Sequence, residues 1–419
     1  MISIRRFFNN PAIPQEYRQN FFHLYLDIAW FGILSGTALN FLNIYAARLG
    51  ASGLQIGLLG AVPAIVSLAV SIPAGNWLAK RPIGKAVFWT AAVYRLGYLL
   101  WIPLPWILGA QGQIWALIII TFLMGIPLCG INVGFNALFA TAVPAEWRAS
   151  VVGIRNIVLS IAFIVSSLGA GYILDRLRFP IGYQVIFAIG FLGAAMSTLH
   201  LFLIRPNTSS APTTVSSFRP VTGAEKRPIR NWHTTLRLDI WRTPYRNVLL
   251  VFLGFHLTQY LALPLFPLFT VNVLHLTDIN IGIGTALFYL TVLLGSTQFD
   301  RLVRWAGHHK ITGVGVASLC FYPIALGLSK SAADYYLLST IGGLVWALVS
   351  GASANYLLEK IPENDRPSHL AWYNIILNAS VLIGSLAGPL IASSIGIGLA
   401  MIIFGVLRFI SGIALLKWG

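Results

Sequence analysis

Twelve mostly apolar stretches, each between 18 and 27 residues long and separated by polar loops, constrain this chain more than any other feature. They run over 21–47, 55–78, 86–107, 114–140, 150–173 and 182–204, then 247–273, 281–299, 311–328, 335–358, 371–393 and 397–417. About 20 apolar residues are needed for a helix to cross the hydrocarbon layer. Backbone polar groups in lipid must be bonded within the protein, and none of these stretches has the two-residue alternation of a barrel strand, so the spans are predicted to be helices. Apolar residues make up 57% of the chain and charged residues 10%, against about 25% charged in a soluble domain. The expected fold is an all-α membrane protein with twelve transmembrane helices in two parallel six-helix bundles. The first apolar run, 21–47, is too long for the h-region of a cleaved signal peptide, about 7–15 residues. Cys129 and Cys320 both lie in apolar runs, which implies no disulfide framework.

One long polar segment, 205–246, divides the chain into 1–204 and 247–419. Its first part, Arg205-Pro-Asn-Thr-Ser-Ser-Ala-Pro, cannot bury a core. Its second part puts Trp232, Leu236 and Ile240 on one stripe beside Arg237 and Arg242, the pattern of a short amphipathic helix on an anionic membrane surface. The net charge of +16 is distributed by topology. With the amino terminus in the cytoplasm, 21 of the 28 Lys and Arg fall in termini and loops on that side, four on the other, and Arg95, Arg155 and Arg408 within spans. This asymmetry predicts both termini and the linker to be cytoplasmic and excludes a nucleic-acid partner as the reason for the charge.

The halves repeat. A shift of 218 residues puts Pro144 on Pro362, Arg148 on Arg366, Asn156 on Asn374 and Ser167 on Ser385; a shift of 220 puts Gly75 on Gly295 and Arg81 on Arg301. Each half has an even number of spans, so the halves are expected to lie parallel. The loops after spans 2 and 8 are similar to the Gly-x-x-x-Asp-Arg-x-Gly-Arg-Lys motif of the major facilitator superfamily. The second copy has Gly295, Asp300, Arg301, Arg304 and Lys310; the first has Gly75, Arg81 and Lys85, with Ala79 or Lys80 where the Asp is expected. Pro144-x-x-x-Arg148 and Pro362-x-x-x-Arg366 also resemble that family. The resemblance covers the whole chain. It implies secondary transport by alternating access, a site near the midplane lined by spans 1, 4, 7 and 10, and gating loops that contain Gly75, Arg81, Gly295, Asp300 and Arg301. Span 5 reads Gly169-Ala170-Gly171 without the proline that accompanies antiporters in the family.

Polar stripes at helical spacing mark those four spans: Asn40 and Asn43; Cys129, Asn132 and Asn136; His256, Gln259 and Tyr260; Trp346, Ser350 and Ser353. Small and polar residues also join helices, so each stripe alone reads as packing; together they suggest a cavity. His256, Gln259 and Tyr260 are expected roughly 15–21 Å into span 7 at 1.5 Å per residue, with Pro264 and Pro267 bending the helix beyond them. Asp27 is the one acid deep in a span, and Arg95 is its candidate partner. The pair reads either as a fixed ion pair that sets helix packing, the favoured reading, or as a proton-coupling site. Asn156, Ser160, Asn374 and Asn378 read as helix contacts. Arg408 has no deep acid in its half and is left among three roles: bonding carbonyls, holding an anion, or reaching an interface. No metal cluster, phosphate loop or catalytic set is visible, so no cofactor and no enzyme activity are expected.

The leading expectation is a secondary transporter of a small organic solute in a plasma or bacterial inner membrane. Its partners would be the solute, membrane lipid and, if transport is coupled, protons; a monomer is expected. The alternatives are a multidrug efflux permease and a non-transporting receptor or assembly protein with the same fold. A cysteine placed at Ser210, in the linker, is expected to resist membrane-impermeant maleimide applied to intact cells; strong labelling would invert the topology.

Overall fold

The computed structural model describes residues 15–78, 80–205, 237–362 and 365–419. These residues form helices connected by short turns, with no strand among them. The first helix, α1, runs as Gln15–Leu34 and Asn40–Arg48 around a π-helical turn, Ser35–Leu39. The first half continues with α2 (Gly53–Leu78), α3 (Ile83–Trp101), α4 (Ala110–Ala142), α5 (Arg148–Arg176) and α6 (Ile181–Leu203). The second half begins with α7 (Tyr245–Ala262 and Leu265–Asn272), α8 (Asp278–Ser296) and α9 (Phe299–Ser318 and Phe321–Leu328). It ends with α10 (Ala332–Glu359), α11 (Arg366–Ile395) and α12 (Ile397–Trp418). Eleven of these are long and apolar enough to cross a membrane. The remaining one, α3, carries Lys85 and Arg95 within 19 residues and packs against α4 and α6. With twelve spans both termini and the linker ends share one face of the molecule, here termed the terminal face.

Proline shapes several helices. Pro264 interrupts α7 between Ala262 and Leu265, just beyond the His256–Tyr260 stripe, because proline has no N–H to offer the preceding turn. The same chemistry explains Pro144-x-x-x-Arg148. Pro144 cannot donate to the Ala140 carbonyl; instead Arg148 donates to Ala140 O at 2.7 Å and to Val143 O at 3.1 Å, completing the end of α4. In α9 Pro323 cannot serve the Leu319 carbonyl, which accepts from Tyr322 N at 3.4 Å and from Arg408 Nη1 at 3.4 Å. Arg408 also donates to Thr258 O at 3.1 Å. Of the three roles open to Arg408, the structure supports carbonyl bonding.

The described end of the linker departs from the expected amphipathic helix. Trp232 and Leu236 lie outside the described residues. Arg237 takes a left-handed conformation at φ 48°, and Leu238–Arg242 is a 3₁₀ turn. A continuous helical stripe through Ile240 is thereby broken. Ile240 is buried in a core with Tyr245, Val248 and Tyr356 rather than lying on a membrane surface. Arg237 bonds Asp365 at 3.0 Å, and its carbonyl accepts from Trp372 Nε1 at 3.3 Å, which pins the linker end to α11.

The halves meet along α5 with α8 and along α2 with α11. Glycines let these backbones touch. A Cβ at Gly57 would lie 2.1 Å from Ser385 O, and one at Gly171 would lie 3.0 Å from Asp278 O. Asn40 donates to Ser167 Oγ at 3.2 Å, and Ser167 in turn reaches Gly282 O at 3.5 Å. At the face opposite the termini one carboxylate closes the seam. Asp278, at the start of α8, accepts from Arg48 of α1 at 3.1 Å and from Tyr183 of α6 at 2.9 Å. Arg48 also donates to Leu276 O at 2.5 Å. The molecule is thus latched at that face, while Asn132, Asn136 and Ser350, in the parts of α4 and α10 nearer the terminal face, are exposed.

Asp278→Asn removes the charge that holds Arg48 and is expected to loosen this latch. In a chain with Cys129 and Cys320 replaced by Ala, a cysteine at Asn43 should become several-fold more reactive to maleimide added from the latched face. Unchanged reactivity would mean that the glycine seams hold the face shut alone.

Candidate functional site

A cavity of about 270 Å³ opens between α7, α10 and α11. His256, Gln259 and Tyr260 come from α7; Trp346, Ser350 and Ser353 come from α10; Tyr373 comes from α11. Phe255, Val349 and Ala354 complete the wall. The α7 and α10 stripes meet because residues at i, i+3 and i+4 share one helix face. His256 Nε2 and Tyr373 Oη lie 3.0 Å apart, which fixes the imidazole against a phenol. The Gln259 side-chain oxygen is buried without a hydrogen-bond partner among the described residues. The wall therefore offers aromatic surface, a free amide acceptor and hydroxyls, but no formal charge.

The other predicted site residues fall elsewhere. Asn132 and Asn136 are exposed on α4, with Asn136 Nδ2 3.4 Å from Asn132 O. Asn40 lies at the seam with Ser167, and the buried Asn43 Oδ1 has no partner among the described residues; neither lines the cavity. Among the gating-loop residues, Gly75 and Gly295 are buried, and a Cβ at Gly295 would meet Ala347 of α10 at 2.8 Å. Arg81 lies over the Trp77 ring at 4.2 Å and donates to its carbonyl at 3.3 Å. Asp300 and Arg301 are exposed.

The first half holds a charged cluster. Asp27 is 3% exposed. Its nearer guanidinium partner is Arg155 of α5, at 3.3 Å; Arg95 of α3 stands at 3.8 Å. Arg95, the partner read from the sequence, is within ion-pair distance, and Arg155 joins it as a second, nearer partner that the sequence did not single out. Arg155 reaches across to α1, donating to Leu24 O at 2.7 Å while stacking over Phe135 at 4.9 Å. Ser197 Oγ donates to Asp27 at 2.5 Å, and Arg95 donates to Thr198 Oγ1 at 2.9 Å. The cluster ties α1, α3, α5 and α6 together. The repeat carried a signal for it: the 218-residue shift superposes Arg155 on Tyr373. The same position of α5 and α11 thus holds a partner for α1 in one half and for α7 in the other.

The comparisons with known proteins agree with this architecture. A sequence model of the Major Facilitator Superfamily matches residues 6–366. The chain belongs to the Major Facilitator Superfamily. It is 23% identical over 379 residues to the cis,cis-muconate transport protein of Acinetobacter baylyi, covering 89% of this chain and 87% of that one. It is 21% identical over 356 residues to an uncharacterised transporter of the same superfamily from Methanocaldococcus jannaschii, covering 84% and 86%. The fold matches the crystal structure of a D-xylose–proton symporter with a TM-score of 0.71 at 14% identity, covering 96% of this chain and 98% of that chain. A nucleoside transporter, NupG, matches with a TM-score of 0.65 at 14% identity, covering 97% and 99%. As a member of this superfamily the protein is an integral membrane protein and a secondary transporter of small solutes.

The charged cluster ranks three substitutions by stability. Asp27→Asn strands two buried guanidiniums and should destabilise most, by about 3–5 kcal/mol. Arg155→Gln should cost less, and Arg95→Gln least, because Arg155 still serves the carboxylate. Asp27→Asn with Arg155→Gln should be less harmful than the sum of the two single changes. Melting temperatures of detergent-purified variants measure this; additive losses would show that the groups do not share one network.

Proposed function

We propose that the protein carries a small organic anion, bound between the two halves against the α7–α10–α11 cavity. The observation that carries this reading is the charge of the spans. Among the described residues the buried guanidiniums are Arg95, Arg155 and Arg408, and the one buried carboxylate is Asp27. Two positive charges are left uncompensated in a medium of low dielectric, where a cation entering the core would be repelled and an anion attracted. This argues against an efflux pump for cationic drugs. In this reading Asp27 is a fixed counter-ion, not a proton carrier. The uncharged cavity gives orientation: Trp346, Tyr260 and Tyr373 offer apolar faces, and Gln259 and His256 offer hydrogen bonds without the penalty of a full charge.

The two bundles, 1–204 and 247–419, would rock about the glycine seams while the 205–246 linker holds them together. The latched face and the open terminal face then correspond to one of the two access states. The excess of Lys and Arg on the terminal face supports a cytoplasmic location for it. Because both halves belong to one chain, a monomer suffices. The relative named for muconate transport makes short dicarboxylates the first solutes to screen.

Gln259→Ala and Tyr260→Phe are expected to weaken binding of the best anion by about 5–30-fold, the loss of one hydrogen bond at roughly 1–2 kcal/mol. Their melting temperatures without ligand should stay near that of the parent. Thermal-shift titration of the same purified samples reads both quantities. Unaltered affinity with lowered stability would make the stripe a packing surface.

A further inference from the structure

The segment between α8 and the membrane-crossing part of α9 does not take the form of a plain loop. Phe299–Ala306 is helical and ends at Gly307, whose φ of 77° turns the chain before α9 proper begins. That conformation is readily available to glycine alone. Phe299 anchors the segment: its ring lies close to Gly351 of α10 and 6.0 Å from the His308 ring. Facing away, Gln298, Arg301, Leu302 and Trp305 stand at i, i+3, i+4 and i+7 and form one shallow recess of about 510 Å³. Trp305 is 84% exposed, the most exposed large apolar side chain among those described. Arg301 and Arg304 are exposed beside it, and Asp300 is the one acid of the segment.

We propose that this recess seats the headgroup of an anionic glycerophospholipid at the terminal face. An indole left in water has no stabilising contact, whereas at the headgroup level its apolar ring meets glycerol and acyl carbon while its N–H stays solvated. One helical turn away on the same stripe, Arg301 meets the phosphate of the same lipid with a planar pair of donors, and Arg304 adds a second cation. Asp300 lies on the Arg304 stripe and not on that of Arg301 and Trp305, so the recess itself holds one cation and no acid. Phosphate alone would satisfy the arginine but leave Trp305 uncovered; the apolar boundary of a lipid covers both. The site lies where α8 turns into α9, so an occupying lipid touches the loop that carries Gly295, Asp300 and Arg301.

Native mass spectrometry of the full-length protein tests this with phosphatidylglycerol, phosphatidylcholine and inorganic phosphate as probes. Phosphatidylglycerol adducts are expected to outnumber phosphatidylcholine adducts. The double variant Arg301→Gln/Arg304→Gln should bind phosphatidylglycerol about 30-fold more weakly, the loss of two surface cations, with phosphatidylcholine binding unchanged. Trp305→Ala alone should also weaken phosphatidylglycerol while leaving the charge intact. Equal phosphatidylglycerol binding by parent and variants would overturn the site. Displacement of the lipid by millimolar inorganic phosphate would overturn the lipid as its occupant.

Discussion

Buried charge is the constraint around which this membrane protein is built. Each ionised group in the spans must find a partner inside the protein, since lipid supplies none. The first half meets that demand with Asp27, which draws Arg155, Arg95 and Ser197 toward one point and so fastens α1, α3, α5 and α6. Among its described residues the second half has no such buried carboxylate. Arg408 instead takes the carbonyls of Leu319 and Thr258, one of them at the helix break imposed by Pro323. The repeat that relates the halves is therefore one of backbone position and not of chemistry: Arg155 faces a carboxylate where Tyr373 faces an imidazole.

That asymmetry divides the labour between the halves. The charged first half is braced internally, and its excess positive charge sets the field. The second half, with an uncharged pair at the equivalent position, leaves room for a cavity among His256, Gln259, Tyr260 and Trp346. At the seams Gly57 against Ser385 and Gly171 against Asp278 bring backbones into contact. The latch of Arg48 and Tyr183 on Asp278 is polar and can exchange protein partners for water. Opening the face must also part the hydrophobic cluster in which Ala47, Ala51 and Ile56 of the first half pack with Leu268, Leu276 and Ile281 of the second.

Much of this was legible in the sequence, and the failures have physical causes. Span number, parallel halves and the convergence of the α7 and α10 stripes follow from hydropathy, the 218-residue repeat and helical periodicity, all of them local or translational properties. Arg95 as a partner of Asp27 was legible; the nearer one, Arg155, was not, because its long side chain reaches across the bundle from α5 and spacing along the chain does not encode that distance. Helical spacing puts Asn40 and Asn43 on one face of span 1, but the π-helical turn at Ser35–Leu39 precedes them and shifts that face relative to the first part of the helix; Asn40 lies at the seam with Ser167, outside the α7–α10–α11 cavity. Trp232, Leu236 and Ile240 have the spacing of an amphipathic stripe, yet the left-handed Arg237 interrupts it before Ile240.

The proposed selection of anions by the buried arginines is tested by counterflow in proteoliposomes. Vesicles loaded with an unlabelled short dicarboxylate would take up the labelled compound in the presence of a competitor series: the dicarboxylate, its monoester, its diester and a diamine of equal length. Competition should weaken with each negative charge removed and vanish for the diamine. A diester or diamine that competes as well as the dicarboxylate would contradict selection by charge.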